Sequence, residues 1–334
     1  MRCAVIVLTW NAAEAALACL GRLVALAPDQ IVVVDNASAD GSADLVAAHF
    51  PAITLIRNPS NLGFSGGMNT GIRALLAQES PPEAIILLNQ DTLVDPGWFA
   101  ALVAALDADP ALAAVGCKIR YPNGTIQHAG VTLDWPRAVA QHIGWHEIDA
   151  GQHDTPRDLA FVTAAAIALR AEALELVGLL DEGYAPAYFE DVDLCWRLRQ
   201  AGYRLGYAPA ATLVHQESLS LRDELTRSAY YNRGRLRFVF KTYALADLLG
   251  PFAAVERDFI VECGHMSEGR ALRWAYTETL ASLPEIIAAR RALDLATPDD
   301  AQVVLRNLLL GLCRELAHTL YRRAAACAAE IYAL

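Results

Sequence analysis

Four short stretches of the chain are mostly apolar, and each ends abruptly in polar side chains. Residues 3–8 (Cys-Ala-Val-Ile-Val-Leu) give way to Thr9 and Asn11, and 31–34 to Asp35, Asn36 and Ser38. Residues 53–56 are followed by Arg57 and Asn58, and 84–88 by Asn89, Gln90 and Asp91. Runs this short and this rich in β-branched residues predict buried strands. Helical patterns lie between them: an alanine-rich stretch to Ala27, residues 42–50 behind Asp40-Gly41, and a further helix from Asp95 with Pro96 in its first turn. Strands alternating with helices need parallel pairing with helical crossovers, which makes the chain an α/β protein. Ligands of such sheets bind beyond the carboxyl ends of the strands, where all four polar exits lie.

Further along, the pattern is less regular. Asn58-Pro-Ser-Asn61-Leu-Gly63-Phe64-Ser-Gly66-Gly67-Met-Asn69-Thr-Gly71 fits neither G-x-G-x-x-G nor a P-loop. It is either a flexible connector or a loop that brings backbone close to a ligand. Residues 111–120 read as another strand, 121–124 as a tight Asn-Gly turn, 171–177 as a helix and 204–207 as a short strand. Tyr188-Phe189-Glu190-Asp191-Val192-Asp193-Leu194 places three carboxylates in four residues at a helix start. Taken alone, that is ordinary helix-end chemistry, because free N–H groups and the macrodipole favour acids there.

Composition narrows the classes. With 334 residues, 54% apolar and 19% charged, the chain is globular, and a net charge of −11 argues against wrapping nucleic acid. Only Lys118 and Lys241 among the 27 basic residues are lysines, so arginine supplies nearly all cations. The seven cysteines are scattered without a C-x-x-C pair, as expected of reduced thiols. No apolar run is long enough to span a bilayer and residues 1–8 lack a signal-peptide pattern, so the expected location is cytoplasmic.

Taken in order, five motifs resemble the family 2 glycosyltransferases of GT-A fold, in particular their rhamnosyltransferase-like branch. They are Val5-Ile-Val-Leu-Thr-Trp-Asn11, Val34-Asp35-Asn36-Ala-Ser38-Ala-Asp40-Gly41-Ser42, Asn58-Pro-Ser-Asn61-Leu-Gly63-Phe64, Leu88-Asn89-Gln90-Asp91 and the acidic motif, spread over residues 3–240. The resemblance implies a Rossmann-like, mostly parallel central sheet flanked by helices. It places Thr9, Asn11 and Asp35 around a uracil or thymine, whose imide N–H suits a carboxylate, with Asn36 and Ser38 at the ribose. Arg57, Asn61, Gly63, Phe64, Asn69, Asn89, Gln90 and Glu190 are further candidate substrate contacts. Asp91 corresponds to the last residue of a D-x-D metal motif whose first residue here is the neutral Asn89. His215, in Val214-His215-Gln-Glu-Ser218, corresponds to the second metal contact, for Mg2+ or Mn2+. Asp191 matches the general base of an inverting displacement, while Glu190 and Asp193 orient the acceptor or cap the helix. Residues 164–166 stand where a small Gly-Ala pair is common.

The expected activity is therefore transfer of a sugar, rhamnose first, from a dTDP- or UDP-sugar to a hydroxyl of a glycan or lipid-linked glycan. A nucleotide-sugar-binding subunit without turnover is the alternative, favoured by Asn89, and a nicotinamide oxidoreductase is a distant third. Residues 128–154, rich in histidine and tryptophan but without metal-ligand spacing, read as a mobile loop over the acceptor. The expected domains are 1–243, with a donor half (1–120) and an acceptor half (121–243), and a helical C-terminal extension, 244–334. Arg233, Arg237 and Lys241 recur every four residues in a basic, aromatic stretch, 222–241, which suggests either peripheral contact with an anionic membrane face, a diphosphate clasp, or a solvated helix packed on the catalytic domain. Pro284 should interrupt the helix 267–293, and apolar residues on several faces after Pro298-Asp299-Asp300 suggest a bundle or a homo-oligomer interface.

Overall fold

The computed structural model describes residues 1–216, 223–262 and 266–333, with side chains except at 266, 267 and 323–333. Glu217, Ser218, Arg222 and Cys263, named above, lie outside the described residues. The chain divides into two compact units, residues 1–132 with 140–220, and residues 133–139 with 221–334. The helix that follows residue 223 thus groups with the C-terminal helices, whereas the sequence suggested a division at 243.

In the first unit the chain runs β1 (Cys3–Thr9), α1 (Ala13–Val24), β2 (Gln30–Asp35), α2 (Ser42–His49), β3 (Thr54–Arg57), α3 (Gly63–Leu76), β4 (Ala84–Asn89), β5 (Thr92–Val94), α4 (Trp98–Ala108) and β6 (Leu112–Arg120). It continues through β7 (Ile126–His128), β8 (Val131–Leu133), β9 (Ala140–His142), β10 (Arg157–Asp158), β11 (Ala166–Arg170), α5 (Ala171–Val177), α6 (Glu190–Gln200) and β12 (Arg204–His215). The sheet order is β10-β12-β6-β11-β4-β1-β2-β3, with β5 against β12 and β7 against β6. β3, β2, β1 and β4 are parallel, as the alternating pattern requires. β11 enters antiparallel between β4 and β6, and β12 runs parallel to β6. Val5, Ile6 and Val7 of β1 are wholly buried, so the first strand is the core of the sheet.

Two expectations change. The strand expected at 204–207 extends to His215, which carries that histidine to the ligand-binding edge. The glycine-rich segment is mostly helix, because its glycines serve packing and not chain freedom. A Cβ at Gly67 would stand 2.4 Å from Leu8 Cδ1, and one at Gly71 would stand 2.9 Å from Ile6 Cγ2. Glycine disfavours helices by about 1 kcal/mol relative to alanine. Here that is offset by seating α3 directly on β1 and β2, burying Met68, Ile72 and Leu75.

The second unit holds α7 (Glu224–Thr242), α8 (Leu245–Asp247), a π-helical turn Leu248–Phe252, α9 (Ala253–Glu262), α10 (Met266–Ala281), α11 (Leu283–Ala292) and α12 (Ala301–Ala333). Pro284 does break the helix, falling in the first turn of α11. The apolar faces of α12 are used within this unit: Leu305, Leu309, Leu312 and Leu316 are fully buried where α12 meets α9, α10 and α11. Of the basic residues of α7, Arg227 and Arg233 are half-buried and the rest are buried. Arg237 is 6% and Lys241 4% exposed, on a helix packed against α10 and α11. Arg235, also buried, forms a two-pronged ion pair with Glu256 at 2.6 and 2.9 Å, and Tyr276 donates to the same carboxylate at 2.8 Å. Arginine in this unit holds helices together.

Candidate active site

At the exits of β1 and β2, side chains and backbone interlock. Asp35, 3% exposed, accepts from Ser38 N–H at 3.0 Å and from Thr9 Oγ1 at 3.3 Å. Ser38 Oγ accepts from Asn11 N–H, and Asn11 Oδ1 accepts from Ala39 N–H. Asn11, Ala12 and Ala37 all have left-handed backbones, with φ between 53° and 61°. Such conformations are uncommon for residues with a Cβ and persist where surrounding hydrogen bonds over-determine them. Thr9, Asn11, Asp35 and Ser38 are thus brought together in one rigid corner.

Asn36 has a different job from the expected ribose contact. It is 2% exposed, its Nδ2 donates to Asn61 Oδ1 and Gly63 O, and its Oδ1 accepts from Asn58 Nδ2 and Leu62 N–H. With donor and acceptor both committed, it clasps the loop before α3. Asn69 is likewise buried and bound to Leu180 N–H, Leu180 O and Glu182 Oε1. It ties α3 to the approach of the acidic motif and is spent on that tie. Arg57 lies at the level of Asp35 but pairs with Asp44 at 2.8 Å on the exposed side of α2. A Cβ at Gly63 (φ 70°) would stand 3.0 Å from the Pro186 backbone, and Phe64 N–H donates to Pro186 O at 2.7 Å. The loop before α3 and the acidic motif are therefore built onto one another.

The register of β5 and β12 places residues far apart in sequence side by side. His215 pairs with Thr92, which sets its Nε2 3.1 Å from Asp91 Oδ1. His215 Nδ1 lies 2.8 Å from Gln127 Oε1. An amide oxygen only accepts, so Nδ1 carries a proton toward Gln127, and Nε2 faces the Asp91 carboxylate, donating to it when protonated and offering a lone pair when not. One carboxylate, one imidazole and a hydrogen bond fixing the tautomer suit a divalent ion that takes its other ligands from phosphate and water. No group of three or more potential metal-ligating His, Cys, Asp or Glu side chains occurs among the described residues. The protein's share of such a site would thus be small. Gln90 braces Trp10 through both backbone groups, at 3.2 and 3.1 Å. Asn89, half-buried, has its N–H on Ala165 O.

The acidic motif begins α6 behind two left-handed residues, Tyr188 (φ 81°) and Phe189 (φ 73°). Its three acids separate clearly. Asp193 is fully buried, bound to Tyr184 Oη and paired with Arg197 at 2.9 Å, so it neither orients an acceptor nor caps the helix. Arg197 also donates to the carbonyls of Val177, Gly178 and Leu179, fixing the chain that leads into the motif. Asp191 accepts from Ala164 N–H at 3.0 Å and from its neighbour Val192 N–H at 2.8 Å. Burial raises its pKa, and these N–H groups limit the rise. Glu190 is pushed up further, first by burial and then by the charge of Asp191, and its Oε2 has no hydrogen-bond partner. Of the adjacent pair, Glu190 therefore holds its proton to higher pH than Asp191. The Ala164–Ala165 turn links both halves, since Ala164 holds Asp191 while Ala165 holds Asn89.

Sequence reasoning missed Gln127, His128 and His142 as part of this edge. His128 is buried, with Nδ1 2.9 Å from His142 Nδ1, and burial holds its pKa well below the usual histidine value. Residues 128–154, expected as a loop, are partly the β8–β9 ribbon. Lys118, reaching Asp149 at 3.0 Å and also Asp154, anchors the far end of the segment. Only strand pairing reveals these neighbours, although a glutamine-histidine pair right after an Asn-Gly turn was a usable hint.

Comparison with known proteins identifies the family. Residues 4–177 match the family described as Glycosyl transferase family 2. A pre-mycofactocin glycosyltransferase of Mycobacterium tuberculosis (strain H37Rv) is 34% identical over 210 residues, 60% of this chain and 40% of that protein. From the same organism, an N-acetylglucosaminyl-diphospho-decaprenol L-rhamnosyltransferase is 27% identical over 235 residues, 64% of this chain and 75% of that one. The chain spans only 26% to 40% of the length of several curated relatives it matches. Among solved structures, GalNAc-T7 with UDP, GalNAc and Mn2+ superposes with a TM-score of 0.60 at 15% identity, covering 77% of this chain and 51% of that one. That likeness identifies the sheet as the GT-A fold. With the match extending over more than half its length, the chain belongs to glycosyl transferase family 2.

Proposed function

We propose that the chain transfers a sugar from a nucleoside-diphosphate sugar to a hydroxyl of a glycan or lipid-linked glycan, inverting the anomeric centre. Rhamnose from a dTDP-sugar is the first candidate and a UDP-hexose the second. The observation that carries this reading is the convergence of Asp91, His215 and the carboxylate of Asp191 on one edge of the sheet, joined by the Ala164–Ala165 turn. The catalytic residues fall within 1–243, with the donor half in 1–120 and the acceptor half in 121–243.

On this reading, Asp35 accepts the imide N–H of uracil or thymine, with Thr9 and Ser38 holding its carboxylate in place and Asn11 bracing Ser38. Asn36, Asn61, Gly63 and Phe64 shape the adjoining loop, and Gln90 keeps Trp10 against the base-binding corner. Asp91 and His215 would hold Mg2+ or Mn2+, which when bound neutralises charge developing on the departing diphosphate. Asp191 takes the proton of the attacking hydroxyl, and the neutral Glu190 beside it can donate a hydrogen bond to an acceptor oxygen. No protein nucleophile is required.

The test is release of nucleoside diphosphate from a donor panel with Mn2+ or Mg2+, after thermal-shift screening for the nucleotide that stabilises the fold. Donor binding without release under any acceptor would instead support the non-catalytic reading. Asn89, neutral where the family has an acid, is the observation on that side.

A further inference from the structure

Past the end of β6 lies an aromatic stack that the transfer chemistry leaves unused. Trp145 is 59% exposed, although large apolar side chains are usually covered. It is nevertheless held in place. Its Nε1 donates to Tyr121 Oη at 2.9 Å, and its ring lies 4.5 Å from that of His146. His146 in turn stacks on Tyr121, with centroids 5.0 Å apart and planes only 11° from parallel. The backbone beneath is fixed as well: His146 N–H donates to Ile126 O, Ile126 N–H to Glu147 O, and His146 itself is left-handed (φ 62°). An exposed indole that is braced on two sides is preorganised for a ligand.

Polar groups rim the stack. Glu147 accepts from Gln152 Nε2 at 2.9 Å and lies 3.0 Å from His153 Nε2, and these contacts keep its exposed carboxyl ionised below the usual range. A flat aromatic face beside a fixed carboxylate and amide matches a pyranose ring, which has a C–H face and a rim of hydroxyls. The location fits too. Tyr121 follows the last residue of β6, whose neighbour β12 ends in His215, and Gln127, one residue past Ile126, is bonded to that histidine.

We propose that Trp145, backed by His146 and Tyr121 and rimmed by Glu147, is a stacking subsite for a sugar ring of the glycan acceptor. The proposal rests on the transfer function above and extends it to a saccharide acceptor gripped away from the reacting hydroxyl.

The full chain labelled with 5-fluorotryptophan tests this by fluorine NMR, with Trp145→Phe identifying the resonance among the six tryptophans. The probes are di- and trisaccharides ending in glucose, mannose, N-acetylglucosamine or rhamnose, each alone and with UDP or dTDP, and vesicles containing phosphatidylglycerol. At least one saccharide should shift the Trp145 resonance saturably. Trp145→Ala should weaken that saccharide's binding at least tenfold by calorimetry, with Trp145→Phe retaining most of it. In turnover, Trp145→Ala should raise acceptor KM by a similar factor while kcat moves less than threefold. A Trp145 resonance that ignores every saccharide, or responds only to vesicles, overturns the subsite. Nucleotide-sugar cleavage is scored separately on the unmodified chain, so failure of the transfer function is distinguishable from failure of the subsite.

Discussion

At the residue scale, the acidic motif illustrates how identical chemistry diverges with surroundings. Glu190, Asp191 and Asp193 fall within four positions, yet one lacks a partner on Oε2, one accepts two N–H groups, and one is locked to Arg197. Asp191→Asn keeps the shape but removes the proton acceptor, so kcat should fall about 10²–10⁴-fold while donor affinity by calorimetry is retained. Equal loss of both would remove Asp191 from the role of base. The raised pKa of Asp191 also places the acidic limb of the rate profile above the ordinary carboxylate range, because only the ionised form accepts a proton. Glu190 carries the clearer stability signature. Its folded pKa lies above the ordinary value of 4.5, so its contribution is fully present below that value and declines as pH rises through the folded pKa. Glu190→Gln should flatten this decline in urea midpoints measured across the same pH series. If Asp91 and His215 hold the cation as proposed, His215→Ala should weaken the dependence of turnover on Mn2+. Gln127→Ala, which frees the tautomer, should weaken Mn2+ affinity about 10–100-fold. Undiminished turnover in chelator would dismiss both assignments.

At the element scale, α3 shows why glycine content is an ambiguous signal. Four glycines and two asparagines between 61 and 71 suggested a flexible connector or a loop close to a ligand, but the segment folds largely as a helix pressed into β1 and β2. The physical reason is distance, since side chains at 67 and 71 would overlap Leu8 and Ile6. Gly67→Val should therefore destabilise the first unit by about 1–3 kcal/mol through overpacking, read as a lower urea midpoint. Gly97→Ala is a useful contrast: no atom approaches its Cβ position, but φ is 85°, so any loss there reports backbone strain alone. The long β12 matters in the same way. Its irregular pairing with β6, slipping between Ala208 and Thr212, carries the strand far enough to set His215 beside Asp91.

Across the whole molecule, charge is put to different uses in the two units. In the first, carboxylates converge on the sheet edge. In the second, Arg235 and Glu256 are almost completely desolvated and survive only as a pair, with Tyr276 completing the acceptor's bonds. Glu256→Gln leaves the guanidinium buried without its counter-charge and should cost about 3–5 kcal/mol, seen as early loss of helical circular dichroism on heating. A variant as stable as the original would show that the pair is dispensable.

The parallel strands, their polar exits, the break at Pro284 and the family were legible from the sequence. Each is local: β-branched runs favour buried strands, proline ends helices, and motif order survives as text. The meeting of Thr9 and Asp35 was legible for the same reason, because they end adjacent strands. What tertiary structure decided is everything that depends on which atoms meet. Sequence order does not reveal that Asn36 and Asn69 are consumed by loops, that Asp193 belongs to Arg197, or that Arg237 and Lys241 are buried. Nor does it place Gln127 behind His215 or Tyr121 beneath Trp145. Those facts follow from strand register and helix packing, which bring residues together across long stretches of chain.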